Sequence, residues 1–168
     1  MSPEPTRPPT RWQRAAQSLM AAMLAVMALA VFVNVVLRYG FGSGVAASEE
    51  LSRLLFVWMV FLGATLAYPA GEHMAFTALV APLRRHPRGL ALLTRLIHAL
   101  VTATCAMVAW GAWQQVVVGL DSRSTVLGYP VALLPLPALL ASVAIGAMAA
   151  ANLWRGRALD LGHGAEVE

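Results

Sequence analysis

Ser48-Glu49-Glu50-Leu51-Ser52-Arg53-Leu54-Leu55-Phe56-Val57-Trp58-Met59-Val60-Phe61-Leu62-Gly63-Ala64 decides the fold. Two acids and an arginine stand at the mouth of a long apolar run. On a soluble helix such charges would line one wet face. Here almost everything after Arg53 is apolar, as expected of a segment that enters lipid. Ser48 reads as an N-cap, with Glu49 and Glu50 in a first turn that complements the positive helix end. This span is expected over about residues 51–70, where Pro69 and Gly71 mark its end.

The rest of the chain agrees. Its 168 residues are 59% hydrophobic and 12% charged, against roughly 25% charged in soluble domains. An all-α integral membrane protein with four spans follows. The other spans are expected over about residues 15–37, 89–118 and 130–153. The first covers roughly 34 Å at about 1.5 Å per residue, too long for a signal-peptide core, so a retained span is expected. Within it Asn34 fits a helix-to-helix hydrogen bond better than a ligand role. Pro135 and Pro137 fall in the opening turns of the fourth span, where each removes a backbone donor and invites a kink.

The connecting pieces are short. Residues 1–14 read as a disordered tail rich in proline and arginine, and 155–168 as a second tail. Met74 to Leu83 is apolar but too short to span, so an interfacial segment is expected between spans two and three. The net charge is +4 and every basic residue is arginine. No Lys/Arg stripe points to nucleic acid; the arginines are scattered through tails and loops. Arg7, Arg11, Arg14, Arg84, Arg85, Arg88, Arg155 and Arg157 share one side of a four-span layout, while Arg38 and Arg123 lie on the other. The positive-inside rule then places both termini and the middle loop in the cytoplasm. Trp12, Tyr68 and Trp154 form an inner aromatic belt, and Tyr39, Phe41, Trp110, Trp113 and Tyr129 an outer one.

Small residues mark packing faces. Ala138, Ser142, Gly146 and Ala150 recur every fourth position in the fourth span, and Gly63 and Ala67 in the second. Such ridges let helices approach closely in lipid, and point to a helical bundle. Cys105 is the single cysteine; it reads as a small packed hydrophobe.

Candidate chemistry is sparse. Glu49 and Glu50 stand four and three residues before Arg53, so both can reach it on a helix. One reading is a cap and interfacial anchor; the other is an ion-paired cluster that holds a partner. Arg53 lies a turn inside the apolar run, where an unpaired charge is costly, so pairing is expected. Arg53→Ala should then harm assembly or uptake more than Arg157→Ala. No acid lies deep in a span, which argues against a self-sufficient small carrier. His73 and His98 could ligate haem in a membrane anchor only at one depth, and their spacing disfavours it. No nucleophile elbow, phosphate loop or metal-ligand cluster stands out, so no enzyme, cofactor or metal is expected.

Several of these motifs together resemble the small membrane (Q-type) subunit of tripartite ATP-independent periplasmic (TRAP) transporters. They are Asn34-Val35-Val36-Leu37-Arg38-Tyr39, Glu49-Glu50 with Arg53, Trp58, Phe61-Leu62-Gly63-Ala64 and Gly71-Glu72-His73-Met74. A weaker echo is Ser124-Thr125-Val126-Leu127 with Pro130 and Pro135. The chain departs from the family where Tyr68-Pro69-Ala70 stands in place of a basic residue. The resemblance implies a non-enzymatic subunit in a bacterial inner membrane. Its implied partners are a large multi-span subunit carrying the substrate and sodium sites, a periplasmic binding protein, and lipid. It would brace the large subunit and help receive the binding protein during uptake of an organic acid. Glu49, Glu50 and Arg53 become partner-contact or ion-pair candidates, and the small-residue ridges become packing candidates.

Overall fold

A computed structural model describes residues 10–70 and 87–155. Four helices carry the fold: α1 (Arg11–Phe41), α2 (Ala46–Ala70), α3 (Pro87–Gly119) and α4 (Leu136–Arg155), with a 3-10 turn at Val131–Leu133 before α4. All four are long and apolar enough to cross a membrane. Among the described residues there is no strand, only a single bridge between Arg123 and Pro130. The expected interfacial segment, His73 and the outer parts of both tails lie outside the described residues.

α1 overruns its apolar stretch because its ends are capped. α1 starts four residues before its apolar run. Thr10 Oγ1 accepts from the Gln13 amide, and Gln13 returns a side-chain oxygen to the Thr10 amide at 2.8 Å. This reciprocal capping box makes residues 11–14 helical, where the sequence reads as a disordered tail. At the other end Gly42 takes φ +72°, and its amide donates to the Leu37 carbonyl; only glycine adopts that backbone freely. α1 is 31 residues long, about 46 Å at 1.5 Å per residue.

Ser48 is not the N-cap of α2. The helix starts two residues earlier, at Ala46, and the Ser48 hydroxyl donates back to the Val45 carbonyl at 2.7 Å. The cap comes from α1 instead. Asn34 Oδ1 accepts from the Val45 amide at 2.6 Å. The expected helix-to-helix bond of Asn34 therefore goes to backbone at the mouth of α2. Gly44 makes room for it, since a Cβ there would stand 3.2 Å from the Asn34 oxygen.

The spatial order is α1, α2, α4, α3. α1 packs on α2, α2 on α4, and α4 on α3. Among the described residues α1 and α3 make no substantial contact, so the helical bundle is an open row. Small residues form its tightest seam. Ala112 and Val116 of α3 are buried, as are Ala141, Ser142 and Ala149 of α4. A Cβ on Gly146 would lie 3.1 Å from the Cys105 Cβ. Farther along, a Cβ on Gly119 would fall 2.6 Å from the Ala132 amide nitrogen. Backbone meets backbone there, which fixes the end of α3 on the 3-10 turn.

The packing candidates divide. Gly63 faces Met20 of α1, where a Cβ would lie 3.6 Å from the sulfur. Ser142 and Gly146 sit in the α3–α4 seam, and Ala138 is half-buried. Ala67 and Ala150 are exposed on the single chain. A spacing of four drifts about 40° per step on a helix of 3.6 residues per turn, so a four-membered ridge rotates away from its neighbour by its last position. The buried set is Ala141, Ser142 and Ala149, of which Ser142 alone belongs to that ridge.

Candidate functional site: the rim over the start of α2

The end where α2 begins and α3 finishes gathers the charged residues the sequence singles out. Between α3 and the 3-10 turn the chain folds back on itself. Val131 N donates to the Ser122 carbonyl and Ser124 N to the Tyr129 carbonyl, both at 2.9 Å. A tight turn through 125–127 closes the loop, helped by Gly128 at φ +70°. The Arg123 guanidinium donates across it to the Gly128 carbonyl at 3.2 Å. The loop is thus a small pre-shaped unit.

Glu50 holds this unit to α2. Its carboxylate is buried, at 8% exposure, and Oε2 accepts from the Leu127 amide at 2.9 Å. The Ser124 hydroxyl lies beside the same carboxylate and also accepts from the Leu127 amide, at 3.3 Å. A buried carboxylate bonded to backbone amide is a strong, charge-assisted contact. It ties residues 77 positions apart.

The expected cluster of two acids around Arg53 does not form as an ion pair. Among the described residues neither Glu49 nor Glu50 pairs with Arg53; that charge acts on Glu50 only at longer range. Glu49 and Arg53 are exposed. Helical spacing permits the contact, but the carboxylate of Glu50 takes donors in the loop, and Arg53 is exposed at the helix mouth. The sequence offered one hint of this, the Ser124-Thr125-Val126-Leu127 motif, without saying what it would touch.

One more contact braces the same end. Trp58 Nε1 donates to the Leu133 carbonyl at 3.1 Å. In a continuous helix that carbonyl would take the amide of residue 137, which is proline, so the indole supplies the missing donor. Pro135 and Pro137 accordingly break the fourth span into a 3-10 turn and α4, a fuller interruption than a kink. Behind Trp58, an almost entirely apolar cleft of about 200 Å³ lies between α2 and α4, lined by Phe61, Leu62, Thr65, Pro137 and Ala141 among others.

Other candidates sit apart. His98 is buried on α3, and the Thr102 hydroxyl donates to its carbonyl at 2.7 Å. Among the described residues no three His, Cys, Asp or Glu side chains cluster as metal ligands. Of the aromatic belts, Trp12, Trp154, Tyr39, Phe41, Trp110 and Trp113 are exposed. Tyr68 and Tyr129 are half-buried, with Tyr68 hydrogen-bonded to Asn152 on α4.

The family model described as "Tripartite ATP-independent periplasmic transporters, DctQ component" matches residues 27–159. A putative TRAP transporter small permease protein of Haemophilus influenzae is 36% identical over 135 residues, covering 80% of this chain and 83% of that protein. A second protein of that description from the same organism is 35% identical, covering 60% of each chain. The C4-dicarboxylate TRAP transporter small permease protein DctQ of Vibrio cholerae is 28% identical, covering 56% of this chain and 41% of its own length. No solved structure matches the chain.

Proposed function

The chain belongs to the DctQ component family of TRAP transporters, and we propose that it acts there as a brace and receiver, not as a carrier in its own right. It is a multi-pass membrane protein and a transporter component. Its partner is a large membrane subunit that moves substrate; this chain gives that subunit a fixed flank and meets the soluble binding protein at the rim built on α2. The inner membrane is its site, with both termini cytoplasmic, as the arginine distribution favours. That orientation turns the Glu50 rim to the periplasm.

One observation carries the reading: in the described helices the only acids are Glu49 and Glu50, and both stand in the opening turns of α2. A carrier that couples substrate to an ion needs polar or ionisable groups near the midplane. The row instead offers apolar faces and close-packed seams, the equipment of a scaffold. Sodium coupling and an organic acid cargo are proposed from the family and from the dicarboxylate named for the Vibrio relative.

Co-expression with the large subunit tests this. The pair should purify together and support uptake only when the binding protein is added. Transport by a homo-oligomer of this chain alone would overturn the reading.

A further inference from the structure

We infer that Glu50 is a positioning residue: it sets the pose in which the 122–131 loop presents its tip to the soluble binding protein. This rests on the receiving role proposed above and assigns it to particular atoms.

The loop shapes itself through its own backbone bonds, but shape is not placement. Its hydrogen bonds to the body of α2 converge on the Glu50 carboxylate, which takes the Leu127 amide together with the Ser124 hydroxyl and the Val126 amide. Ser52 Oγ and Tyr129 OH are buried nearby in sequence, yet neither has a partner among the described residues. They add no second tie. The loop's end is held by the Gly119–Ala132 packing and the Trp58–Leu133 bond, but the placement of its tip against α2 depends on one buried acid.

That acid holds the backbone of Leu127 while the side chains at the tip are left outside. Val126 is 50% exposed and Leu127 43%. Arg53 and Arg123 are exposed on the same end. Neither has a carboxylate partner among the described residues. Half-exposed apolar side chains on an end that also carries guanidinium groups without carboxylate partners suit a protein surface with an apolar recess and acidic margins. A lipid headgroup would use the arginines but not the apolar tip raised on a folded loop. The partner is a soluble acidic protein surface, and Glu50 decides whether the tip is in place to meet it.

The test uses the full chain with its large subunit in nanodiscs and the transporter's own purified binding protein. Glu50→Ala should assemble normally. It should speed amide exchange at Leu127 and weaken binding-protein affinity, each by about tenfold or more, the effect of losing a hydrogen bond to a charged group. Glu50→Gln keeps an acceptor oxygen and should restore most of both. Should Glu50→Ala fail to assemble, Val126→Asp decides: affinity should fall about as much, with Leu127 exchange unchanged. Unchanged affinity in Val126→Asp, or in an assembled Glu50→Ala with faster exchange, overturns the docking assignment. Unchanged Leu127 exchange in Glu50→Ala overturns the positioning role itself. A wild-type complex that binds no binding protein overturns instead the receiving role on which this rests.

Discussion

The Trp58 indole and the Pro137 ring are complementary: the one supplies to the Leu133 carbonyl, at 3.1 Å, the donor that the other has removed. The pair joins the middle of α2 to the break before α4. Trp58→Phe keeps the ring and loses the bond, which should destabilise the chain by about 1 kcal/mol. In a Pro137→Ala background residue 137 regains an amide, so the same substitution should cost less. Thermal unfolding of the four proteins in detergent gives the coupling directly; strictly additive losses would contradict it.

Gly119 and Gly111 lie two turns apart on α3 and should behave oppositely. A Cβ at Gly119 would strike the Ala132 backbone, whereas one at Gly111 meets nothing within 4 Å. Gly119→Ala should cost about 1–3 kcal/mol, the usual range for overpacking. Gly111→Ala should gain up to about 1 kcal/mol from helix propensity. Melting temperatures of the two variants check the sign of each.

The cap that Asn34 gives α2 should be worth about 1 kcal/mol. Asn34→Ala should lower the melting temperature and speed exchange of the Val45 amide. Gly44→Ala pushes on the same oxygen and should also destabilise. In the Asn34→Ala background the new methyl has no oxygen to displace, and Gly44→Ala should cost little.

At the α3–α4 seam, Gly146→Val should wedge the helices apart by crowding Cys105. The clash is with the Cβ of Cys105, so Cys105→Ala should not rescue it and Cys105→Gly should. Detergent stability of the double variants distinguishes the two.

Arg53→Ala should leave the stability of the isolated chain within about 0.5 kcal/mol, as for other exposed positions. An ion pair with Glu49 or Glu50 would have made it more costly. Any loss of uptake or assembly in this variant would then report a contact outside the chain. Melting temperature and uptake measured on one preparation separate the two effects.

The four spans were legible because lipid imposes one simple demand, a long apolar run with its backbone bonded internally. The Thr10–Gln13 cap is local, yet it lies in a stretch whose composition reads as a disordered tail. What could not be read was the choice among competing partners. Spacing alone allowed Glu50 to reach Arg53, and only the folded loop supplied the Leu127 amide that outcompetes it. Pro137 announced a missing donor, yet nothing in a linear chain said that Trp58 would answer it. The row order escaped for the same reason, since small residues are scattered through every span and do not name their neighbours.

That row order divides the protein into two hairpins. α1 with α2 and α3 with α4 are neighbours in sequence and in space, so each can form as soon as its second helix has entered the membrane. The seam between them joins α2 to the fourth span through Trp58 with Leu133, and to the loop before it through Glu50 with Leu127. Two separately synthesised halves, divided between α2 and α3, should therefore find each other in the bilayer and rebuild the whole.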